Sequence, residues 1–193
     1  QQRIVNKPGT SVVAAHAVGS GKTLSAIARF EKLKQEGKAH KALVIAPAGL
    51  RDNFGKHGVG KFTNSSYHVI GNQQEQKMPG YGEANPDADY NIISYDLFRK
   101  NPLGYLQSTG ADTIIADEFH RGKNEDTLTT DALKQLKGNY KHSIGLTASL
   151  VSNSLADVQP LVDVATSGQH RLGEDKETFE KRYLARSTNP AYQ

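Results

Sequence analysis

The octet His16-Ala17-Val18-Gly19-Ser20-Gly21-Lys22-Thr23 constrains this chain more than any other segment. It stands between a short run of small and β-branched residues, Ser11 to Ala15, and an amphipathic stretch. The run reads as a strand. Thr23 to Glu36 reads as a helix, with Leu24, Ile27, Ala28, Phe30 and Leu33 at near-helical spacing and Gly37 as its stop. A Gly-x-Gly-Lys-Thr segment at a strand-to-helix junction suits phosphate binding. Gly19 and Gly21 let the backbone fold tightly and aim successive N–H groups at phosphate oxygens, with Ser20 between them. The helix start adds its own anion attraction. Lys22 can reach the β- and γ-phosphates, and the Thr23 hydroxyl can ligate Mg2+. The strict pattern wants Gly where His16 stands, and an ordinary Gly-rich turn is the competing reading.

The rest of the sequence repeats the alternation of strand-like and amphipathic segments that marks βαβ units and a mainly parallel sheet. Ala42 to Ala46 is a continuous apolar run of strand length ended by Pro47, and Thr113 to Ala116 is another. Tyr67 to Ile70 and Tyr90 to Ser94 are weaker strands, and His142 to Leu146 is the last. Gly71 to Asp89, with few apolar residues, reads as a long surface loop. Gly168 to Gln193 is polar apart from Phe179, Tyr183 and Leu184, and reads as an extension leading out of the domain.

A length of 193 residues is that of one domain. The chain has no Cys, which removes disulfide frameworks, thiolate metal sites and thiol nucleophiles together. Its longest apolar run, Ala42 to Leu50, falls far short of the roughly 18 residues that span a bilayer. Gln1 to Lys7 lacks the apolar core of a secretory signal. A soluble cytoplasmic protein, with no membrane partner, is the expectation. Net charge is only +4, but residues 29–61 carry +5 and residues 83–126 carry −5. Such asymmetry places a positive field over one surface, unless the bases line a solvated helix face.

The Thr113–Ala116 strand runs into Asp117-Glu118-Phe119-His120. In an open parallel sheet ligands bind at the carboxyl ends of strands. Asp117 can hold Mg2+ there through water, and Glu118 can orient or deprotonate an attacking water. In isolation a solvated turn is the better reading of an Asp-Glu pair; an upstream phosphate loop reverses that preference.

In order and content these segments resemble the first RecA-like lobe of superfamily-two helicases and translocases, most closely the Swi/Snf-like branch. His16 to Thr23 resembles motif I, and Asp117-Glu118-Phe119-His120 resembles the DEAH box with Phe in place of Ala. Ala42 to Leu50, with Asn53-Phe54 beyond, resembles motif Ia and its downstream Asn-Trp. Asn91 to Phe98 resembles the segment where that family places a Tyr after a strand. Gly145 to Leu155 resembles motif III, with Ser149 a conservative replacement and Leu150 where Pro is expected. Gln1 resembles a remnant of the adenine-reading Gln motif.

The resemblance implies a phosphate-loop, three-layer α/β/α fold around a mainly parallel sheet. Residues 1–167 would form the ATP-binding lobe, and 168–193 would lead toward a second RecA-like lobe. It implies ATP and Mg2+ as cofactors, with Lys22 and Glu118 as catalytic groups. His120 would couple hydrolysis to nucleic acid through Thr147 or Ser149; a structural hydrogen-bonding role is the alternative for His120. Pro47, Ala48, Ser94 and Tyr95 would line the path of DNA, duplex in preference to single strand, although Tyr95 fits a core position equally well. Such lobes contact the phosphate backbone without reading sequence.

Hydrolysis in such motors takes place between two lobes, so this lobe alone is expected to bind nucleotide weakly and turn over slowly or not at all. Two rivals stand beside the motor reading. One is another phosphate-loop enzyme, such as a nucleotide kinase or a GTPase. The other is an ATP-gated nucleic-acid or protein-binding module without turnover, which would have no need of Glu118.

Overall fold

A computed structural model describes residues 11–15, 21–117, 123–136 and 138–147, with backbone alone at 11–15, 123–127, 130 and 147. Among them lie seven strands: β1 (Ser11–Ala15), β2 (Ala42–Ala46), β3 (Tyr67–Ile70), β4 (Tyr81–Gly82), β5 (Tyr90–Ser94), β6 (Thr113–Ala116) and β7 (His142–Thr147). They form one sheet in the order β1-β7-β6-β2-β5-β3-β4, and every pairing is parallel. The longer helices are α1 (Lys22–Gln35), α2 (Pro102–Thr109) and α3 (Lys123–Lys134).

The path of the chain explains the layers. From β1 through β2 to β3 it moves one way along the sheet; from β5 through β6 to β7 it moves back. Right-handed crossovers place the helices of the two legs on opposite faces. The packing follows suit. Ala26, Ile27, Phe30 and Leu33 of α1 pack with Val44, Ile92, Ile115 and Ile144 on one face. Leu106 of α2 and Ala132 and Leu133 of α3 pack with Leu43, Ile45, Ile93 and Ile114 on the other. Neighbouring residues of β2 thus go to opposite faces, as the two-residue period of a strand requires. All of β2 and β5 is buried, as continuous apolar runs of strand length lead one to expect. Phe30 meets the Tyr90 ring edge-on at 4.8 Å between centroids, and truncating so fully buried an aromatic costs about 3–5 kcal/mol.

Helix α1 ends where the sequence stops it. Gly37 adopts φ 67°, and its N–H donates to the Lys34 carbonyl at 3.0 Å while Lys38 N–H closes on Leu33 at 2.9 Å. Lys34 Nζ then bonds Asp89 at 2.5 Å and Ser65 Oγ at 2.9 Å, tying the helix end to the chain just before β3 and β5. Glu31 accepts from Ser65 Oγ and from the Tyr90 hydroxyl, both at 2.8 Å.

The structure adds elements that the sequence pattern does not announce. The expected loop from Gly71 to Asp89 contains a short 3-10 turn, Glu75–Lys77, and the two-residue edge strand β4. After β2, a 3-10 turn at Ala48–Leu50 leads into a π-helical stretch, Asn53–Val59, and a final α turn, Gly60–Phe62. This wider helix packs where side chains would not fit. A Cβ at Gly55 would lie 2.7 Å from the Tyr67 ring, and one at Gly58 would lie 2.9 Å from Ile27 Cδ1. The division at residues 167 and 168 lies outside the described residues.

Candidate functional site: the carboxyl edge of the sheet

Because all seven strands are parallel, every segment that follows a strand emerges at one edge. Ala15, the last residue of β1, pairs with Thr147 at the end of β7, and Ala116 of β6 pairs with Gly145 of the same strand. Strands β1 and β6 therefore flank β7 from opposite sides. Asp117 directly follows β6, and Lys22 opens the helix that follows β1, so the two belong to the segments after the strands on either side of β7 although 95 positions separate them in sequence.

On the β1 side, Gly21 caps α1 in the left-handed region, at φ 78° and ψ 28°, where a Cβ would be strained. Its carbonyl accepts both the Ser25 N–H, at 3.0 Å, and the Ser25 hydroxyl, at 3.1 Å. Lys22 is the first helical residue and is 7 % exposed; Thr23 behind it is half-buried. The first turn of α1 holds no acidic residue that would compete with an anion for the positive end of the helix dipole. Gln1, Gly19 and Ser20 lie outside the described residues.

On the β6 side, the backbone of Asp117 is held twice. Its N–H donates to the Ile45 carbonyl at 2.8 Å, and its own carbonyl accepts the Tyr95 hydroxyl at 2.8 Å. Asp117 is 4 % exposed. Among the described residues no three His, Cys, Asp or Glu side chains gather as a metal site. A magnesium ion needs no such cage, since it takes one or two carboxylates, a hydroxyl and substrate phosphates while keeping several waters. Asp117 and Thr23 fit that donor set. Glu118, His120 and Ser149 lie outside the described residues, and Thr147 is placed by its backbone alone.

The residues expected along a nucleic-acid path fall into two groups. Pro47 is buried at the end of β2, and Ala48 is exposed on the turn after it. Ser94 is buried and its Oγ accepts the Leu97 N–H at 3.3 Å, capping a single turn, Tyr95–Phe98. Tyr95 is 5 % exposed, in the core beneath the acidic strand end.

The sequence gives no local sign of a clamp centred on Arg51, which is 3 % exposed. Its Nε donates to the Ala48 carbonyl at 3.1 Å, and Nη1 donates to the Ile70 carbonyl at 3.0 Å. The guanidinium also grips Glu75 at 3.2 and 2.5 Å and lies 5.1 Å from the centre of the Tyr81 ring. The Tyr81 hydroxyl in turn donates to Asp52 at 3.0 Å. This bonding holds the Glu75 carboxyl below its usual range.

The clamp also corrects the expectation of a positive field from residues 29–61. Arg51, Lys34 and Lys38 are neutralised by Glu75, Asp89 and Glu36. Arg29 is buried, and Lys41 donates to the Pro86 carbonyl. Of the eight bases, Lys56 and Lys61 are exposed with no carboxylate partner among the described residues.

A wholly parallel sheet wound on both faces, with a Gly-Lys-Thr helix start and a buried Asp flanking one strand at the carboxyl edge, defines a RecA-like lobe of the phosphate-loop class. The SNF2-related domain family matches residues 4–192, and the chain belongs to that family. It is similar to the human DNA repair and recombination protein RAD54-like, 30% identical over 176 residues that cover 83% of this chain and 23% of that protein. It is also similar to the uncharacterized ATP-dependent helicase YqhH of Bacillus subtilis, 28% identical over 185 residues, 94% of this chain and 31% of the relative. The chain thus spans less than a third of either relative. Among solved structures, the SWI2/SNF2 ATPase core of Sulfolobus solfataricus in complex with duplex DNA superposes with a TM-score of 0.71 at 26% identity. That match covers 95% of this chain and 36% of the other.

Proposed function

We propose that this chain is the N-terminal motor lobe of a DNA-dependent ATPase that moves along duplex DNA. The observation that carries the reading is that β1, which leads to the Lys22 helix, and β6, which ends at the buried Asp117, both pair with β7. In this reading the amides from Gly19 to Gly21 and the Lys22 ammonium hold the triphosphate of ATP, with Gln1 at the adenine. Thr23 and Asp117 hold Mg2+, which when bound supplies charge neutralisation on the phosphates. Glu118, one residue beyond the twice-anchored Asp117 backbone, takes the proton of the attacking water. His120, with Thr147 and Ser149, relays the nucleotide state to DNA lying over Ala48 and the turn capped by Ser94.

Duplex DNA is the partner chosen because the similar archaeal ATPase core is one in complex with duplex DNA. A second RecA-like lobe, supplying arginines to the γ-phosphate, completes the site; such arginines are worth about 10³–10⁵ in rate in related phosphoryl-transfer systems. The reading calls for a cytoplasmic setting, where ATP and DNA meet. Among the described residues no helix is long and apolar enough to cross a membrane.

The test is ATP hydrolysis with and without duplex DNA, by a longer chain that includes the second lobe and by its Glu118→Gln variant. DNA-stimulated turnover that Glu118→Gln abolishes supports the motor. Tight ATP binding without turnover in either protein would favour the ATP-gated binding module. Full activity in the variant would reject Glu118 as the base.

A further inference from the structure

Away from the nucleotide site, the carboxyl edge of the sheet opens into a cleft of about 570 Å3 between the segment after β3 and the segment after β5. Its polar lining comes from Asn72, Gln73, Gln74 and Gln76 on one side and from Lys100 and Tyr105 on the other. Two of the four amides serve the loop itself. Asn72 Oδ1 accepts the N–H groups of Gln74 and Glu75 at 2.9 and 3.0 Å, and Gln76 Nε2 donates to the Gly71 carbonyl at 2.9 Å. Gln73, Gln74 and Lys100 are exposed, and their side chains have no partner among the described residues. Tyr105 is half-buried, and burial pushes its phenol up, so the hydroxyl keeps its proton and remains a donor.

Among the described residues no carboxylate lines the cleft. Glu75, the acid of this loop, is turned onto Arg51, and Asp96 is held by Arg99. What remains is a set of hydrogen-bond donors around one uncompensated ammonium, a lining suited to a phosphate-type anion. The anion is not the nucleotide of the other site. Three strand spacings separate β5 from β7, a distance of about 14 Å. The cleft is open, as a passing chain requires. Arg51 joins its wall to the exposed turn at Ala48 by binding the Ala48 carbonyl and Glu75 together.

We propose that this cleft holds a backbone phosphate of nucleic acid, through Lys100 Nζ, the amide N–H groups of Gln73 and Gln74, and the Tyr105 hydroxyl. The proposal rests on the motor reading and extends it, by adding an anchor separate from the ATP site and from Ala48.

The test is binding of a fluorescein-labelled duplex by anisotropy, for the 193-residue chain, its Lys100→Glu variant and a Gln73→Ala/Gln74→Ala variant. All three substituted side chains are exposed, so the fold is retained, and a circular-dichroism melt checks it. Lys100→Glu is expected to weaken binding about tenfold and to lower the slope of log K against log salt by about 1 between about 50 and about 200 mM. The amide pair is expected to cost about threefold with an unchanged slope. Binding of a fluorescent ATP analogue should be unaltered in both.

Wild-type binding with no change of affinity or slope in either variant would overturn the cleft and leave the motor reading standing. A wild-type chain that does not bind duplex at all would also overturn the cleft, while the motor reading stands or falls on DNA-stimulated hydrolysis by the longer chain and its loss in Glu118→Gln. Displacement of the duplex by about 10 mM inorganic phosphate at matched ionic strength would mark a free-anion site and also overturn the proposal. So would a Lys100-dependent preference for poly-glutamate over DNA.

Discussion

Arg51 offers the sharpest test of how this edge is held together. Arg51→Met keeps much of the buried stem and removes the guanidinium. The Ala48 and Ile70 carbonyls then lose a donor each, and the Glu75 carboxylate keeps the Asn72 N–H, at 2.9 Å, of the partners described. Removing one partner of a buried ion pair costs about 3–5 kcal/mol, and an orphaned buried carbonyl about 1–3 kcal/mol. Glu75 is 26% exposed and can regain water, which brings the expected loss to about 3 kcal/mol in all. The assay is urea unfolding of the whole chain, where a fall in midpoint of about 1 M or more corresponds to that loss. Glu75→Gln in the same background removes the stranded charge. The double variant is therefore expected to be more stable than the sum of the two single losses implies, by about 1–2 kcal/mol. A loss below about 1 kcal/mol for Arg51→Met, or strict additivity with Glu75→Gln, would refute the clamp as a stabilising unit.

Three further outcomes follow from other contacts. Tyr95→Phe removes the donor to the Asp117 carbonyl and should lower stability by about 1–2 kcal/mol in a thermal melt; a neutral result would show that this bond does not hold the strand end. Gly55→Ala drives a Cβ to 2.7 Å from the Tyr67 ring and 3.1 Å from the fully buried Ile92 Cδ1, and should cost about 1–3 kcal/mol, partly recovered when Tyr67 is also made Ala. Stability should hold level from about pH 7 to about pH 5 and fall below about pH 4. The Glu75 carboxyl is lowered by its bonds to Arg51. Burial alone would raise Asp89 and Asp112, but bonds from Lys34 and Ser66 to the first and from His40 to the second outweigh it. Groups whose folded pKa is depressed stabilise the fold above their ordinary pKa and lose that contribution as pH falls through the folded value. Urea midpoints that rise on acidification past about pH 4 would contradict this sign.

The strands were legible because burial on both faces imposes a composition, a run such as Ala42 to Ala46, that few other structures tolerate. The placing of Asp117 at the carboxyl edge, at the end of the strand beside β7, was legible for a different reason. In a parallel sheet every strand delivers its following residues to one edge, so two motifs need only follow strands to reach that edge. The helical turns at 48–62 were not, since a π-helix seated on Gly55 and Gly58 depends on what Tyr67 and Ile27 place opposite those glycines.

Charge shows where local reading stops. Counted along the chain, the basic block and the acidic block read as two separate surfaces. In the folded molecule Lys34 of the first bonds Asp89 of the second across 55 positions, and His40 bonds Asp112 across 72. Arg51 finds Glu75 24 positions on. Each partner is set by which strands become neighbours, so a local sum of charges cannot tell a field from a clamp. The charges that act outward are those the topology does not pair, and Lys100, drawn from the acidic block, is one of them.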